Sequence, residues 1–173
     1  MAPKPPRFML NLYTQHPDDD TPKLVQVQAF LPVQQTHTTD RHVLLLWVNA
    51  TLDPGTSNAC EVIQMTQLTG GVGGFGYFAP LAQKQVPDYR AKNAFWDLGV
   101  FTRKERDKIL ELAERVEFRK ESRVNNCQTW LRDLLMMMVD EGMIEESVFE
   151  DVDKGVPFKR KRPELDSEVA AAT

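Results

Sequence analysis

Cysteine is scarce: Cys60 and Cys127 are the only two in 173 residues. Two cysteines cannot build the disulfide framework of a small secreted domain. Long apolar runs are missing too, and the longest, Val43 to Val48, is the size of a strand, far short of the roughly 20 residues a membrane helix needs. No excess of positive charge exists either. With a formal net charge of -4, the chain has no overall attraction for polyphosphate, so any nucleic-acid contact would have to be local. The start, MAPKPPR, lacks the apolar core of a signal peptide and predicts a reducing, cytoplasmic location. Three histidines and two distant cysteines show no paired ligand spacing, so neither a structural zinc nor any cofactor is expected.

The chain is long enough for one buried core and short for two. Residues 1–22, with a proline-rich start and the polar stretch QHPDDDTP, read as a flexible arm. Residues 23–158 read as a single α+β domain. Residues 159–173 begin with the basic run Lys159-Arg160-Lys161-Arg162 and continue as a disordered tail without apolar period.

Within the domain, KLVQVQAFLPV from Lys23 alternates apolar and polar residues, the sign of a strand with one wet face that breaks near Pro32. Arg41 to Val48 carries six apolar residues with no polar interruption after His42, which predicts a central strand buried on both faces. A turn-rich loop from Asn49 to Ala59 leads to a third strand, CEVIQMTQL, and a fourth is expected through Phe75 to Ala79. The period then changes. Thr102-Arg103-Lys104-Glu105 has the form of a capping box, followed by Ile109, Leu110, Leu112, Ala113 and Val116 at helical spacing. A second helix starts at Asn125 or Asn126, carries Trp130, Leu131, Leu134, Leu135, Met138 and Val139 on one stripe, and ends near Gly142. The predicted architecture is an antiparallel sheet from the first half with two principal helices from the second packed on it.

Gly71, Gly73 and Gly76 spell a formal GxGxxG, but strand-like Phe75-Gly76-Tyr77-Phe78 follows where a dinucleotide site needs a helix. A strand connection is the better reading. His16 and His37 lie in polar loops, whereas His42 opens the most apolar strand. Cys127 falls in the first turn of the second helix, where unpaired amides and the helix dipole favour thiolate. His42 is the candidate base for it. Against this, Cys127, Leu131, Leu134 and Met138 share one face, so the thiol can equally be a packing residue.

A histidine on a strand, followed much later by Asn126-Cys127-x-x-Trp130 at the start of an apolar helix, resembles the circularly permuted papain-like (NlpC-type) thiol enzymes. Lecithin:retinol acyltransferase-like and PPPDE-type proteins belong to that group. The resemblance implies a permuted papain-like fold and acyl transfer through a thioester, with Cys127 as nucleophile and His42 as base. Asn126 would cap the helix and Gln128 would help hold the oxyanion. A third polar residue is implied on the next strand, where Glu61, Gln64 and Gln67 are all available. The activity would be hydrolase or acyltransferase, including amide-bond formation from an aminoacyl ester. The partner would be a small-molecule or peptide acyl substrate, with a tRNA-linked donor admitted by the basic run at Lys159 to Arg162. The rival reading is a non-catalytic protein-binding module that offers the methionine run Met136-Met137-Met138 with Met143 to a partner helix, although Met138 continues the core stripe, and keeps Cys127 as packing.

Overall fold

The computed structural model describes residues 10–30, 42–71, 73–156 and 158–164. Seven strands and three helices follow in the order β1 (Lys23–Phe30), β2 (Val43–Leu52), β3 (Cys60–Thr66), β4 (Leu68–Thr69), β5 (Gly76–Tyr77), β6 (Leu81–Lys84), β7 (Asn93–Phe101), α1 (Arg103–Arg115), α2 (Cys127–Asp140) and α3 (Glu146–Gly155). A five-stranded antiparallel sheet has the order β6-β3-β2-β1-β7, while β4 and β5 form a separate two-stranded ribbon. The fold is α+β, with one helix more than the apolar stripes predict.

Alternation decides which face each strand offers. Val25, Val27 and Ala29 of β1 join Val43, Leu45 and Trp47 of β2 beneath the helices. The other β2 residues, Leu44 and Leu46, meet Ile63, Met65, Leu81 and Tyr89 on the opposite face, so β2 is buried on both sides. The face of β1 expected to be wet is partly covered: Gln26 is buried, and its amide donates to Asp97 at 2.7 Å and accepts from Arg90 at 3.3 Å. Pro32, the polar loop after it and His37 lie outside the described residues.

Two strands have no clear sequence signal. β7 pairs along β1 with a bulge between Val25 and Gln26, opposite Gly99 at φ 139°, which breaks the alternation. β6 has four residues. The fourth strand expected through Phe75 to Ala79 is reduced to Gly76–Tyr77 in the ribbon, and the glycine-rich stretch is the turn that joins it to β4. At Gly70 (φ 94°) a β-carbon would stand 2.2 Å from the Gly74 carbonyl oxygen, so the tight turn requires glycine.

α1 opens with the capping box, Glu105 accepting from the Thr102 N–H at 2.8 Å. Its buried Arg106 holds residues 10–22, the described part of the segment expected to be a flexible arm. Asp18 accepts from Arg106 Nε at 2.8 Å and Nη2 at 2.9 Å, and Lys23 adds a third contact at 2.7 Å. Together with a Leu12 N–H bond to the Ala82 carbonyl at 2.8 Å, this fastens residues 10–22 to the domain. Residues 158–164 are also attached, as described below; residues 165–173 lie outside the described part. Among the described residues no helix is long and apolar enough to cross a membrane.

Candidate active site

The first turn of α2 is held from both ends. Asn126 is its N-cap, in extended backbone, and its side-chain oxygen accepts from the Gln128 N–H at 3.0 Å. Asn125, one residue earlier, binds the C-terminal segment as a strand would: its amide donates to the Arg162 carbonyl at 2.7 Å and accepts from the Arg162 N–H at 2.8 Å. Glu164 accepts from Asn125 Nδ2 at 2.7 Å and from Ser122 Oγ at 2.9 Å. The basic run is therefore not a free tail; Arg162 also donates to the Val124 carbonyl at 3.0 Å and Lys161 lies 3.8 Å from Asp133. From this entry the apolar stripe of α2 drops onto the sheet, with Leu131, Leu134, Leu135 and Met138 fully buried.

That packing carries Cys127 to the mouth of β2, where it is half-buried and hydrogen-bonded to the His42 side chain. His42 stands one residue before β2, and its carbonyl accepts from the Phe30 N–H at 3.2 Å. Its Nε2 donates to Gln67 Oε1 at 2.5 Å, which leaves Nδ1 as the ring nitrogen for the thiol. Gln67 is oriented in turn: its Nε2 is 3.3 Å from Met65 Sδ, so the carbonyl oxygen faces the imidazole.

The electrostatics follow from these contacts. Burial pushes the Cys127 thiol up, but the hydrogen bond with His42, backbone bonds from Val43 and Gln128 and the charge of the imidazole outweigh it and hold the thiol below the ordinary 9.0. His42 is raised above 6.5, first by the bond to Cys127, against desolvation, and then by the bond to Gln67. As a residue His42 is exposed, while its ring contacts both Cys127 and Gln67. Each group thus favours the charged form of the other.

Cys127, His42 and Asn126 are brought together. Gln128 adjoins them, but its side chain is buried and its N–H already serves the cap and the sulfur, so an oxyanion donor facing solvent is not what its side chain provides. Of the three candidates for a third residue, only Gln67 reaches the histidine. Glu61 is taken by Tyr89 and by Arg90 Nε at 3.0 Å, and Gln64 is buried, accepting from Asn49 at 3.0 Å. Alternation could not separate them because Gln67 sits in the break between β3 and β4. His16 is half-buried and offers its carbonyl to Asn49 at 3.0 Å. Among the described residues no group of three or more His, Cys, Asp or Glu is placed to hold a metal. Met138 is core and Met136 is exposed.

Comparison with protein-family models, with curated proteins and with solved structures returns no match, so the geometry stands as the ground for any functional reading.

Proposed function

We propose that the chain is a cysteine-dependent acyl-transfer enzyme of the permuted papain-like kind. The observation that carries this reading is the chain of contacts from Cys127 to His42 to Gln67, with the thiol in the first turn of a capped helix. His42 Nδ1 takes the thiol proton. The sulfur attacks an acyl carbonyl, and first-turn amides hold the oxyanion. His42 then returns the proton to the departing amine or alcohol as the carbon–heteroatom bond breaks, leaving a thioester. Water or a second nucleophile, deprotonated by His42, attacks that thioester and expels the thiolate, giving an acid, ester or amide. Gln67 fixes the imidazole tautomer throughout and, being neutral, does not trap the proton.

The test is the pH dependence of iodoacetamide labelling at each cysteine, read by peptide mass spectrometry in the native protein and in His42→Ala. Fast labelling of Cys127 at pH values well below 9.0, slowed by loss of His42, is expected. Buried Cys60 serves as the slow control. Labelling of Cys127 no faster than that of Cys60 and indifferent to His42 would return the thiol to the packing role and favour the binding-module reading.

A further inference from the structure

Beside the first two turns of α2 and next to β4 lies a cavity of about 430 Å³. It borders Asn126 and Leu68, the immediate chain neighbours of Cys127 and Gln67, but neither Cys127 nor His42 lines it. Its apolar walls are Leu68, Phe118 and Trp130. Phe118 is 40% exposed, a large aromatic side chain left beside a concave surface.

The charges in it are unequal. Glu117, Asp133 and Glu164 face Arg119 and Lys161, an excess of one carboxylate. Among the described residues Glu164 has no cationic partner and Asp133 has one at the outer edge of ion-pair distance. Among the described residues Glu164 is held by neutral donors, the Ser122 hydroxyl and the Asn125 amide, which satisfy its oxygens without cancelling its charge. Asp133 has Lys161 no nearer than 3.8 Å, while Arg132, next to it in sequence, is drawn to Asp153 at 3.3 Å and lies over the Phe149 ring. Burial accordingly raises the Asp133 carboxyl against the pull of Lys161 and Arg132. A carboxylate that is desolvated and loosely paired gains from a cation placed closer. Aromatic faces beside it suit a cation with an apolar body, through ring quadrupole and burial together.

We infer that this cavity is a binding site for an organic ammonium group carried on an apolar stem, with the cation held between Asp133 and Glu164 and the stem laid against Phe118 and Leu68. The site goes beyond the thiol chemistry and does not require it. Its place beside Asn126, the cap of the helix that bears Cys127, makes it a pocket for a basic part of a substrate that reaches across the helix end.

The experiment uses the full chain at neutral pH and isothermal calorimetry with three matched probes: 2-phenylethylamine, 2-phenylethanol and 3-phenylpropanoate. The amine should bind about tenfold more tightly than the alcohol, and the carboxylate most weakly. Asp133→Asn and Glu164→Gln should each reduce the preference for the amine while leaving the affinity for the alcohol unchanged. Asp133 is partly exposed, and its replacement is isosteric; a thermal melt of each variant checks the fold. Equal binding of amine and alcohol, preference for the carboxylate, absence of heat with all three probes, or a preference that survives both substitutions would each overturn the inference. Because binding is read without turnover, its failure leaves the acyl-transfer reading intact, and an inert Cys127 leaves this site intact.

Discussion

Replacing Gln67 isolates one link in the candidate site. The amide accepts the Nε2 proton of His42 at 2.5 Å and touches the thiol only through the ring, so its removal should change the histidine before it changes the cysteine. A neutral hydrogen bond contributes about 0.5–1.5 kcal/mol and one to a charged group about 1.5–3 kcal/mol. The bond to Gln67 therefore favours imidazolium over imidazole by about 1 kcal/mol, and the solvent exposure of His42 keeps the figure at that lower end. Since about 1.4 kcal/mol is a factor of ten, Gln67→Ala should cut the thiolate–imidazolium population about fivefold. The sign is fixed by the structure. His42 is raised by its bonds to Cys127 and Gln67, so losing Gln67 lowers it and weakens its hold on the thiolate; the onset of fast Cys127 labelling should move to higher pH, with the alkaline rates unchanged. Gln67→Glu should do the opposite, since a carboxylate favours imidazolium more strongly than an amide does. Labelling rates at Cys127 from pH 5 to 10 in the three proteins, with the melting temperature as a control for folding, provide the assay. If Gln67→Ala and Gln67→Glu gave superimposable profiles, the claimed route from Gln67 through His42 to the thiol would be wrong.

Three further outcomes follow from other contacts. Cys127→Ala and His42→Ala should each abolish turnover of a reactive acyl ester while leaving the melting temperature near that of the native chain; retention of near-full turnover by either would remove the pair from the chemistry. For Asp18, burial pushes the carboxyl up but the bonds to Arg106 and Lys23 prevail and hold it below 3.8, so its contribution to stability is present above that value and lost as pH falls through its folded value. Asp18→Asn should cost about 3–5 kcal/mol at pH 7, because it leaves Arg106 buried and unpaired, and should flatten the acid limb; urea titrations at pH 7 and 3 check both. A β-carbon at Gly155 would stand 2.4 Å from Trp96 Nε1 and 2.7 Å from its Cε2, so Gly155→Ala should destabilise by about 1–3 kcal/mol, whereas an unchanged urea midpoint would show that the indole moves aside freely.

What was legible in the sequence was what depends on local pattern. The capping box at Thr102 and Glu105, the cap at Asn126 and the double burial of β2 are each encoded within a few neighbouring residues. What escaped depends on distant contacts. β7 hides behind a bulge, α3 is short with only Val152 fully buried in it, and the attachment of residues 10–22 needs Arg106, 88 residues from its partner Asp18. The same division runs through the candidate site. Cys127 could be placed in a first turn because capping is local, and His42 at a strand mouth because burial of β2 is local. Gln67 could not be chosen over Glu61 and Gln64, since side-chain direction depends on register as well as alternation, and the ladder from Leu45–Thr66 toward His42 ends where Gln67 leaves β3. The C-terminal segment was harder still, because its backbone pairs with the side chain of Asn125, a bond with no period at all. Within a basic run that reads as solvated by composition, Lys161 lines the cavity and Arg162 braces the helix end that presents the thiol. Any substitution that loosens Asn125 from Arg162 should therefore disturb both.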